Sequence, residues 1–152
     1  AVKELQFVAS VAAPLKVVVR RGHPLMKHHG PLTLKQVAEY PLGLMPPNYG
    51  VGQLMEALSY AEHMSLQPSF RSNSVAALKR FVEATDGVTF MGAGIALASE
   101  VSAGTLEALD LAHPFSRKGK VRLIVRKGRP IAGAAAFILE ELRRKFTIFR
   151  GQ

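Results

Sequence analysis

Residues 20–45, RRGHPLMKHHGPLTLKQVAEYPLGLM, hold the end of one strand, a short helix and the start of a second strand. The apolar run that leads into them, Leu15–Val19, contains three consecutive valines, which is typical of a strand covered on both faces. His23-Pro24 ends this strand, because a residue that precedes proline is held in an extended conformation. The stretch therefore predicts a buried strand followed by a turn.

A short helix is predicted after this turn. Thr33 can cap its first amides while Gln36 returns a hydrogen bond to the cap, which is the pattern of a capping box. Pro41 ends the helix within two turns, and Leu42–Met45 then has the composition of a short buried strand. The passage from strand to helix to strand is compact, as in α/β proteins.

The rest of the chain continues this alternation. Further helices are predicted from about Gly50, from a cap at Ser72 or Asn73, and from Pro130 to about Phe146. The remaining strands are predicted at Leu5–Val8, Ser69–Arg71, Gly87–Met91, Ile95–Leu97, Leu106–Leu109 and Lys120–Gly128. Alternating strands and helices predict an α/β fold with a largely parallel mixed sheet between two helical layers.

Composition limits the class of protein. The chain has 152 residues, 48% of them hydrophobic, which is enough for one domain or slightly more with its own core. There is no cysteine, so disulfides and thiolate metal sites are excluded. The sequence has no apolar run near the ~20 residues that span a bilayer, and AVKELQ does not resemble a signal peptide. We therefore expect a soluble, cytoplasmic protein without a membrane partner.

The net charge of +9 is unevenly distributed. Residues 1–40 and 117–152 carry net charges of +4 and +9, whereas residues 41–116 carry −4. Such charge can attract polyanions, or it can keep the flanking apolar strands soluble, and we favour the second interpretation. The basic stretch Arg117–Arg129 lacks the aromatic side chains on which single strands stack, and the chain contains no recognition helix. Direct nucleic-acid binding by this chain is therefore the weaker hypothesis.

Two strand-to-helix junctions have the residues of a ligand site. The first, Met45–Gly50, offers the amide of Asn48 and the phenol of Tyr49, and the second is Ser72-Asn73-Ser74. Ligands in open α/β sheets bind at the carboxyl ends of strands, where free helix amides favour anions. The alternative is that these serines and the asparagine only cap the following helix.

Other candidate sites are incomplete. The two G-x-G pairs, Gly50-Val51-Gly52 and Gly92-Ala93-Gly94, lack the third glycine of a dinucleotide motif. The histidines are scattered and have no carboxylate partners in sequence, so we predict no metal and no cofactor. The serines have no nucleophile-elbow setting and no placed acid or base, so we predict no enzyme activity.

The chain resembles a known family along nearly its whole length. The resemblance rests on the ordered segments HPL (23–25), LTLKQVAEYPLGLM (32–45), RSNSVAALKRFVEATDGVTFM (71–91), AGTLEALDL (103–111) and VRLIVRKGRPIAGAAAFILEEL (121–142). In this order they resemble the effector-binding domain of LysR-type transcriptional regulators. The DNA-binding domain and most of the first lobe of that family have no counterpart here, so the chain is expected to be a fragment.

The resemblance implies a type 2 periplasmic-binding-protein fold with two lobes. Residues 1–19 would end the first lobe and form a crossing strand near Lys16–Val19. Residues 20–122 would be the second lobe. Residues 123–152 would form the other crossing strand, near Leu123–Val125, and a return helix. A small effector, expected to be a carboxylate, would lie between the lobes. The positions that match the effector-facing ones are Met45, Asn48, Tyr49, Ser72, Asn73, Ser74, Phe90 and Met91.

The function that the resemblance implies is effector sensing within a homo-oligomeric regulator, a dimer or tetramer that binds DNA through a domain absent from this chain. The first alternative is a solute-binding protein of transport with the same fold, and a second is an enzyme on a related two-lobed fold. The final helix carries the apolar stripe Ile131, Ala135, Ile138, Leu142 and Phe146. We expect this stripe to pack on a partner chain or in an unusual way, because much of the first lobe is missing.

Overall fold

The structure, a computed structural model, describes residues 4–92, 98–128 and 130–148. Within these ranges the strands are β1 (Leu5–Ala12), β2 (Leu15–Arg20), β3 (Gly43–Leu44), β4 (Phe70–Arg71), β5 (Thr89–Gly92), β6 (Leu106–Asp110) and β7 (Lys120–Arg126). The helices are α1 (Leu34–Val37), α2 (Gly50–Ala61), α3 (Val75–Ala84), α4 (Ala98–Ala103) and α5 (Ala134–Ile148), with 3-10 helices at Pro24–Lys27 and Pro114–Lys118.

The chain divides into two compact units. Residues 14–119 form the larger unit, and the ranges 1–13 and 120–152 form the smaller one. The crossing segments expected at Lys16–Val19 and Leu123–Val125 lie in β2 of the larger unit and in β7 of the smaller unit. The division into lobes at residues 19 and 122 stays a prediction.

The sheet of the larger unit is largely parallel, as predicted. β2 pairs antiparallel with β5 on one side and with β6 on the other. β3 and β4 pair in parallel, and single parallel bridges join Leu42 to Val88 and Leu32 to Leu111. The order across the sheet is therefore Leu32, β6, β2, β5, β3 and β4, and β2 alone runs against the others among these described elements.

Both faces of this sheet are covered, which gives the predicted three layers. Leu15, Val17 and Val19 pack into the core that contains side chains of α1 and α2. Val18 points to the other face and packs with Leu78 and Val82 of α3. The consecutive valines are fully buried because each successive side chain enters a different core.

Two helix starts show how far local pattern determines the structure. The capping box at α1 is confirmed: Thr33 Oγ1 accepts from Gln36 N at 3.2 Å, and Thr33 N donates to Gln36 Oε1 at 2.9 Å. The predicted cap of α3 was wrong, since the cap is Ser74, whose Oγ accepts from Ala77 N at 3.2 Å. Ser74 has the extended backbone that a cap requires, and Ser72 lies two residues too early.

Three other predicted segments differ from the structure or lie outside it. The last helix begins at Ala134 and not at Pro130, because Gly133 has a φ of +60° that a right-handed helix cannot include. Helix α4 was not predicted, and the turn after it contains Gly104 with a φ of +73°. The strand predicted at Ile95–Leu97 lies outside the described residues.

The smaller unit is a two-stranded ribbon with one helix. β1 and β7 pair antiparallel with a bulge between Phe7 and Ala9. Four of the five predicted stripe positions, Ile131, Ala135, Ile138 and Leu142, line an apolar groove of about 390 Å³ shared with Leu123 and Val125 of β7. The side chain of the fifth, Phe146, lies outside the described ones. Phe137 and Ile138 are 68% and 56% exposed, so the packing of α5 on a partner chain stays a prediction.

None of the helices in the described ranges is long and apolar enough to cross a membrane.

Candidate functional site

The parallel pairing of β3 and β4 brings the two predicted junctions side by side. Leu44 lies opposite Arg71 in the register, and Ser72 N donates to Leu44 O at 3.1 Å. Met45 and Ser72 therefore follow neighbouring strands at the same edge of the sheet. This is the carboxyl edge, where ligands of open α/β sheets bind.

A close backbone contact fixes the first junction. Tyr49 N donates to Pro46 O at 3.1 Å, and Tyr49 O accepts from Gln53 N at 2.8 Å in the first turn of α2. A Cβ atom at Gly52 would lie 2.0 Å from Pro46 O, so only glycine allows this approach. Helix α2 and the loop of residues 45–49 are therefore held as one piece.

One side-chain hydrogen bond joins the two junctions. Asn73 Nδ2 donates to the Tyr49 hydroxyl at 3.1 Å, although 24 residues separate them. Both residues are exposed, as is Asn48, whose side chain makes no hydrogen bond among the described residues. The predicted polar residues of the two loops therefore lie together on one exposed edge.

Ser72 and Ser74 accept hydrogen bonds from backbone amides at the start of α3. The alternative interpretation, in which these residues cap the helix, is therefore correct in part. Ser72 Oγ accepts from Ser74 N at 3.0 Å, and Ser74 Oγ accepts from Ala77 N. A hydroxyl that accepts a hydrogen bond still has a proton to donate. Capping and ligand binding by these serines are compatible for this reason.

Phe90 and Met91 lie below this edge, inside the protein. Phe90 is 1% exposed and packs in the core that contains α1 and α2, whereas Met91 is 3% exposed and packs against α3. The larger unit therefore does not bring them to the surface that contains the two loops. Their assignment to the wall of a pocket stays a prediction.

Arg71 is a charged residue of this edge that the sequence interpretation did not include. Its Nη1 donates to Met45 O at 3.2 Å, which links the end of β4 to the first loop. Met45 and Arg71 also line a cavity of about 330 Å³ under α2, together with Glu56 and Ser59. The sequence did contain a signal for Arg71, because this arginine ends a strand directly before three small polar residues.

Two further charges reach the same edge because β2 runs in the opposite direction. Lys16, near the start of β2, forms an ion pair with Asp110 at the end of β6. They are 94 residues apart, and no spacing in the sequence predicts their contact.

The structure corrects the interpretation of the histidines. His113 Nε2 lies 3.3 Å from Glu62 Oε1, so one histidine does have a carboxylate partner. His113 Nδ1 accepts from Phe115 N at 3.1 Å, as His23 Nδ1 accepts from Leu25 N at 3.0 Å. Each is therefore the cap of a 3-10 helix that starts with proline. Across the described residues no three potential ligands are grouped to hold a metal ion.

An ion pair holds α3 to α4 beside this edge. Lys79 Nζ lies 2.7 Å from Glu100 Oε1, and Ser99 Oγ donates to Glu100 Oε2 at 2.8 Å. The hydrogen bond from Lys79, followed by that from Ser99, lowers the pKa of Glu100 from its ordinary 4.5 to about 2. Both partners favour the ionised carboxylate.

We expect Glu100→Gln to reduce stability at neutral pH, because the ionised carboxylate is lost. The pKa of Glu100 is lower in the folded chain, so the unfolded chain takes up a proton first as the pH falls. The stability advantage of the parent should therefore be complete above pH 4.5 and disappear toward pH 2. The urea concentration at the midpoint of unfolding, measured for the parent and the variant across this pH range, tests this expectation.

The matched control for this prediction is Glu83→Gln, on the same helix α3 as Lys79. Its carboxylate makes only a 3.7 Å ion pair with the exposed Arg80, so the change should have little effect on the urea midpoint. A difference between parent and Glu100→Gln that does not vary with pH would contradict the role given to Glu100.

Comparison with known protein families identifies a match over most of the chain. The sequence profile described as the LysR substrate binding domain matches residues 2–147. Comparison with curated proteins finds no significant match.

Solved structures show the same fold at low identity. The effector binding domain of QuiR in complex with shikimate is 19% identical with a TM-score of 0.67, over 95% of this chain and 66% of that one. The CcmR regulatory domain of Synechocystis PCC6803 in complex with 2-PG is 18% identical with a TM-score of 0.71, over 94% and 67%. HinK, a LysR family transcriptional regulator from Pseudomonas aeruginosa, is 15% identical with a TM-score of 0.69, over 94% and 48%. The chain thus spans about two thirds of the two domain structures and about half of HinK.

Proposed function

This chain belongs to the LysR substrate-binding-domain family, and on that premise we propose that it senses a small-molecule effector for a bacterial transcriptional regulator. The effector is a small carboxylate, bound at the edge formed by the loops Met45–Tyr49 and Ser72–Ser74. The parent regulator is a cytoplasmic homo-oligomer that binds DNA through another domain. No covalent chemistry is required of this chain.

The observation on which the proposal rests is the hydrogen bond from Asn73 to Tyr49. It fixes two loops from different strands in one arrangement, so that their polar groups converge before a ligand arrives. Pre-formed polar groups of this kind lower the entropic cost of binding.

The charges at this edge favour an anion. Arg71 lies at the end of β4, and the first turn of α3 presents the positive end of the helix dipole. The first turn of α3 contains no acidic residue that would oppose an anion. Shikimate, the ligand of the similar QuiR domain, is itself a carboxylate.

Regulation follows if the effector binds one arrangement of the two lobes more tightly than another. An effector shifts a conformational equilibrium only by its difference in affinity for the two states. We propose that residues 20–122 are one lobe, and that residues 1–19 and 123–152 contribute to the crossing strands and the other lobe. Phe90 and Met91 support this edge from the core. No observation specifically favours the solute-binding alternative.

We expect Tyr49→Phe to weaken carboxylate binding about tenfold, which corresponds to about 1.4 kcal/mol. The change removes only the hydroxyl that accepts from Asn73, and it leaves the ring and the backbone of the loop in place. Replacing Ser72, Asn73 and Ser74 together by alanine should abolish binding. Calorimetric titration with shikimate and malate measures both effects.

Controls separate a binding defect from a folding defect. Ser102→Ala, an exposed serine on α4, should leave the affinity unchanged. The triple variant loses the Ser74 cap, which costs about 0.5–2 kcal/mol of stability, so its circular dichroism must match the parent. The proposal is wrong if no carboxylate of the set binds, or if Tyr49→Phe and the folded triple variant both bind as the parent does.

A further inference from the structure

A larger cavity lies at the same edge of the sheet, on the β6 side of β2. Its volume is about 620 Å³, and it is bounded by the start of β2, the end of β6 and the 3-10 helix Pro114–Lys118. Cavities that hold small organic ligands have volumes of about 300–1,000 Å³. We call it the β2–β6 cavity. By the sheet order, β2 and β5 separate it from the loops that follow β3 and β4.

One wall of the β2–β6 cavity is apolar and rigid. Pro14, Pro31, Pro114 and Leu111 line it. A proline ring has almost no side-chain freedom to lose when a ligand packs against it. This wall is therefore suited to a flat or compact apolar group.

Hydrogen bonds hold the segment that follows β6 in place. Ser116, which is buried, has a hydroxyl group 3.1 Å from Leu111 O and 2.7 Å from His113 O. His113 in turn accepts from Phe115 N and contacts Glu62, which follows the end of α2. The cavity therefore exists before any ligand enters it.

Among the described side chains at the cavity, one cation is available. Lys16 is paired with Asp110, and both line the cavity. Arg117 also lines it, is exposed, and has no ion pair or side-chain hydrogen bond within the described ranges. A guanidinium group matches the geometry of a carboxylate and binds it through two parallel hydrogen bonds. Asp110 would repel a dianion, so a single negative charge fits best.

We propose that the β2–β6 cavity is a second ligand site, which binds a monocarboxylate with a compact apolar body. Arg117 pairs with the carboxylate, and the proline wall contacts the apolar body. The site shares no residue with the loops Met45–Tyr49 and Ser72–Ser74, which form the proposed effector edge. The larger unit begins at Pro14 and ends at Gly119, so a ligand here contacts residues next to both connections with the smaller unit.

The test is a titration of the isotopically labelled chain with phenylacetate, followed by amide NMR shifts. We expect saturable shifts at the amides of residues 111–113 and 115–117, and about tenfold weaker binding for Arg117→Ala. Phenylacetamide, which has the same shape without the charge, should bind about tenfold more weakly than phenylacetate. Arg80→Ala is the matched control, because Arg80 is an exposed arginine on α3 that does not line the cavity.

The outcomes distinguish this site from the effector edge. Shifts at residues 111–117 that persist in Tyr49→Phe support the second site, whether or not a carboxylate also binds at the effector edge. Shifts confined to residues 45–49 and 72–74 would overturn the second site and leave the proposed function standing. The absence of saturable shifts at 111–117, or equal affinity of Arg117→Ala and the parent, would also overturn it.

Discussion

His23→Ala is expected to lower the free energy of unfolding by about 3–5 kcal/mol, the largest effect of any single change considered for this chain. The His23 side chain is 1% exposed. Its Nδ1 accepts from Leu25 N at 3.0 Å, so the proton lies on Nε2, which donates to Asp86 O at 2.8 Å. The ring also packs edge-on against Tyr40, with centroids 4.6 Å apart.

Alanine at this position removes all three contacts. Each buried backbone group left without a partner costs about 1–3 kcal/mol, and the lost ring volume adds the cost of a cavity. Arg20 also holds Asp86 through Nε and Nη2, at 3.1 and 2.6 Å, so the turn at Asp86 keeps one tether. The structure should therefore loosen between β2 and the start of β5 before it unfolds elsewhere.

Urea denaturation of the parent and the variant measures the effect through the midpoint at an unchanged slope. His29→Ala is the control, because His29 is exposed and should change stability by no more than about 0.5 kcal/mol. His23→Asn should recover part of the loss, since an asparagine oxygen can accept from Leu25 N but is too short to reach Asp86. A loss below about 1 kcal/mol in His23→Ala would show that the histidine is not the tether described here.

Gly52→Ala is expected to destabilise the chain by about 2–3 kcal/mol and to reduce carboxylate binding at the effector edge more than tenfold. The added Cβ would lie 2.0 Å from Pro46 O and 3.0 Å from Met45 O. Both are backbone atoms, so no side-chain rotation relieves the clash. Either α2 or the loop of residues 45–49 must move.

Gly50→Ala provides the matched control in the same helix. A Cβ at Gly50 meets no atom within 4 Å, and alanine is the better helix former by up to about 1 kcal/mol. This variant should be as stable as the parent or slightly more stable, and it should bind carboxylate equally well. Similar denaturation midpoints and affinities for the two variants would contradict the close approach of α2 to Pro46.

Much of the fold was predictable because it depends on neighbouring residues. The capping box at Thr33 and the buried valines of β2 are local patterns, and both were predicted correctly. Helix α4 was missed because its six residues, ASEVSA, are too few for an apolar period to show. The start of α5 was misplaced because Pro130 suits a first helical position, whereas the positive φ of Gly133 cannot be read from the residue type alone.

The candidate site was predictable only in part. The two polar loops were recognised because each follows an apolar strand, and the pairing of β3 with β4 places them together. The contributions of Lys16 and Asp110 depend on the direction of β2, which no spacing in the sequence records. The contact of His113 with Glu62 likewise exists only once α2 and the segment after β6 have packed.

The two outermost segments of the sheet in the larger unit are very short. On one side the edge strand is β4, which has two residues, and on the other side it is Leu32 alone, held by one bridge. Such short edges expose few amide and carbonyl groups that an additional chain could use to extend the sheet. β1, with eight residues, pairs among the described strands only with β7. Aggregation of the isolated chain is therefore expected to start from the ribbon of the smaller unit, and charge introduced along β1 should suppress it.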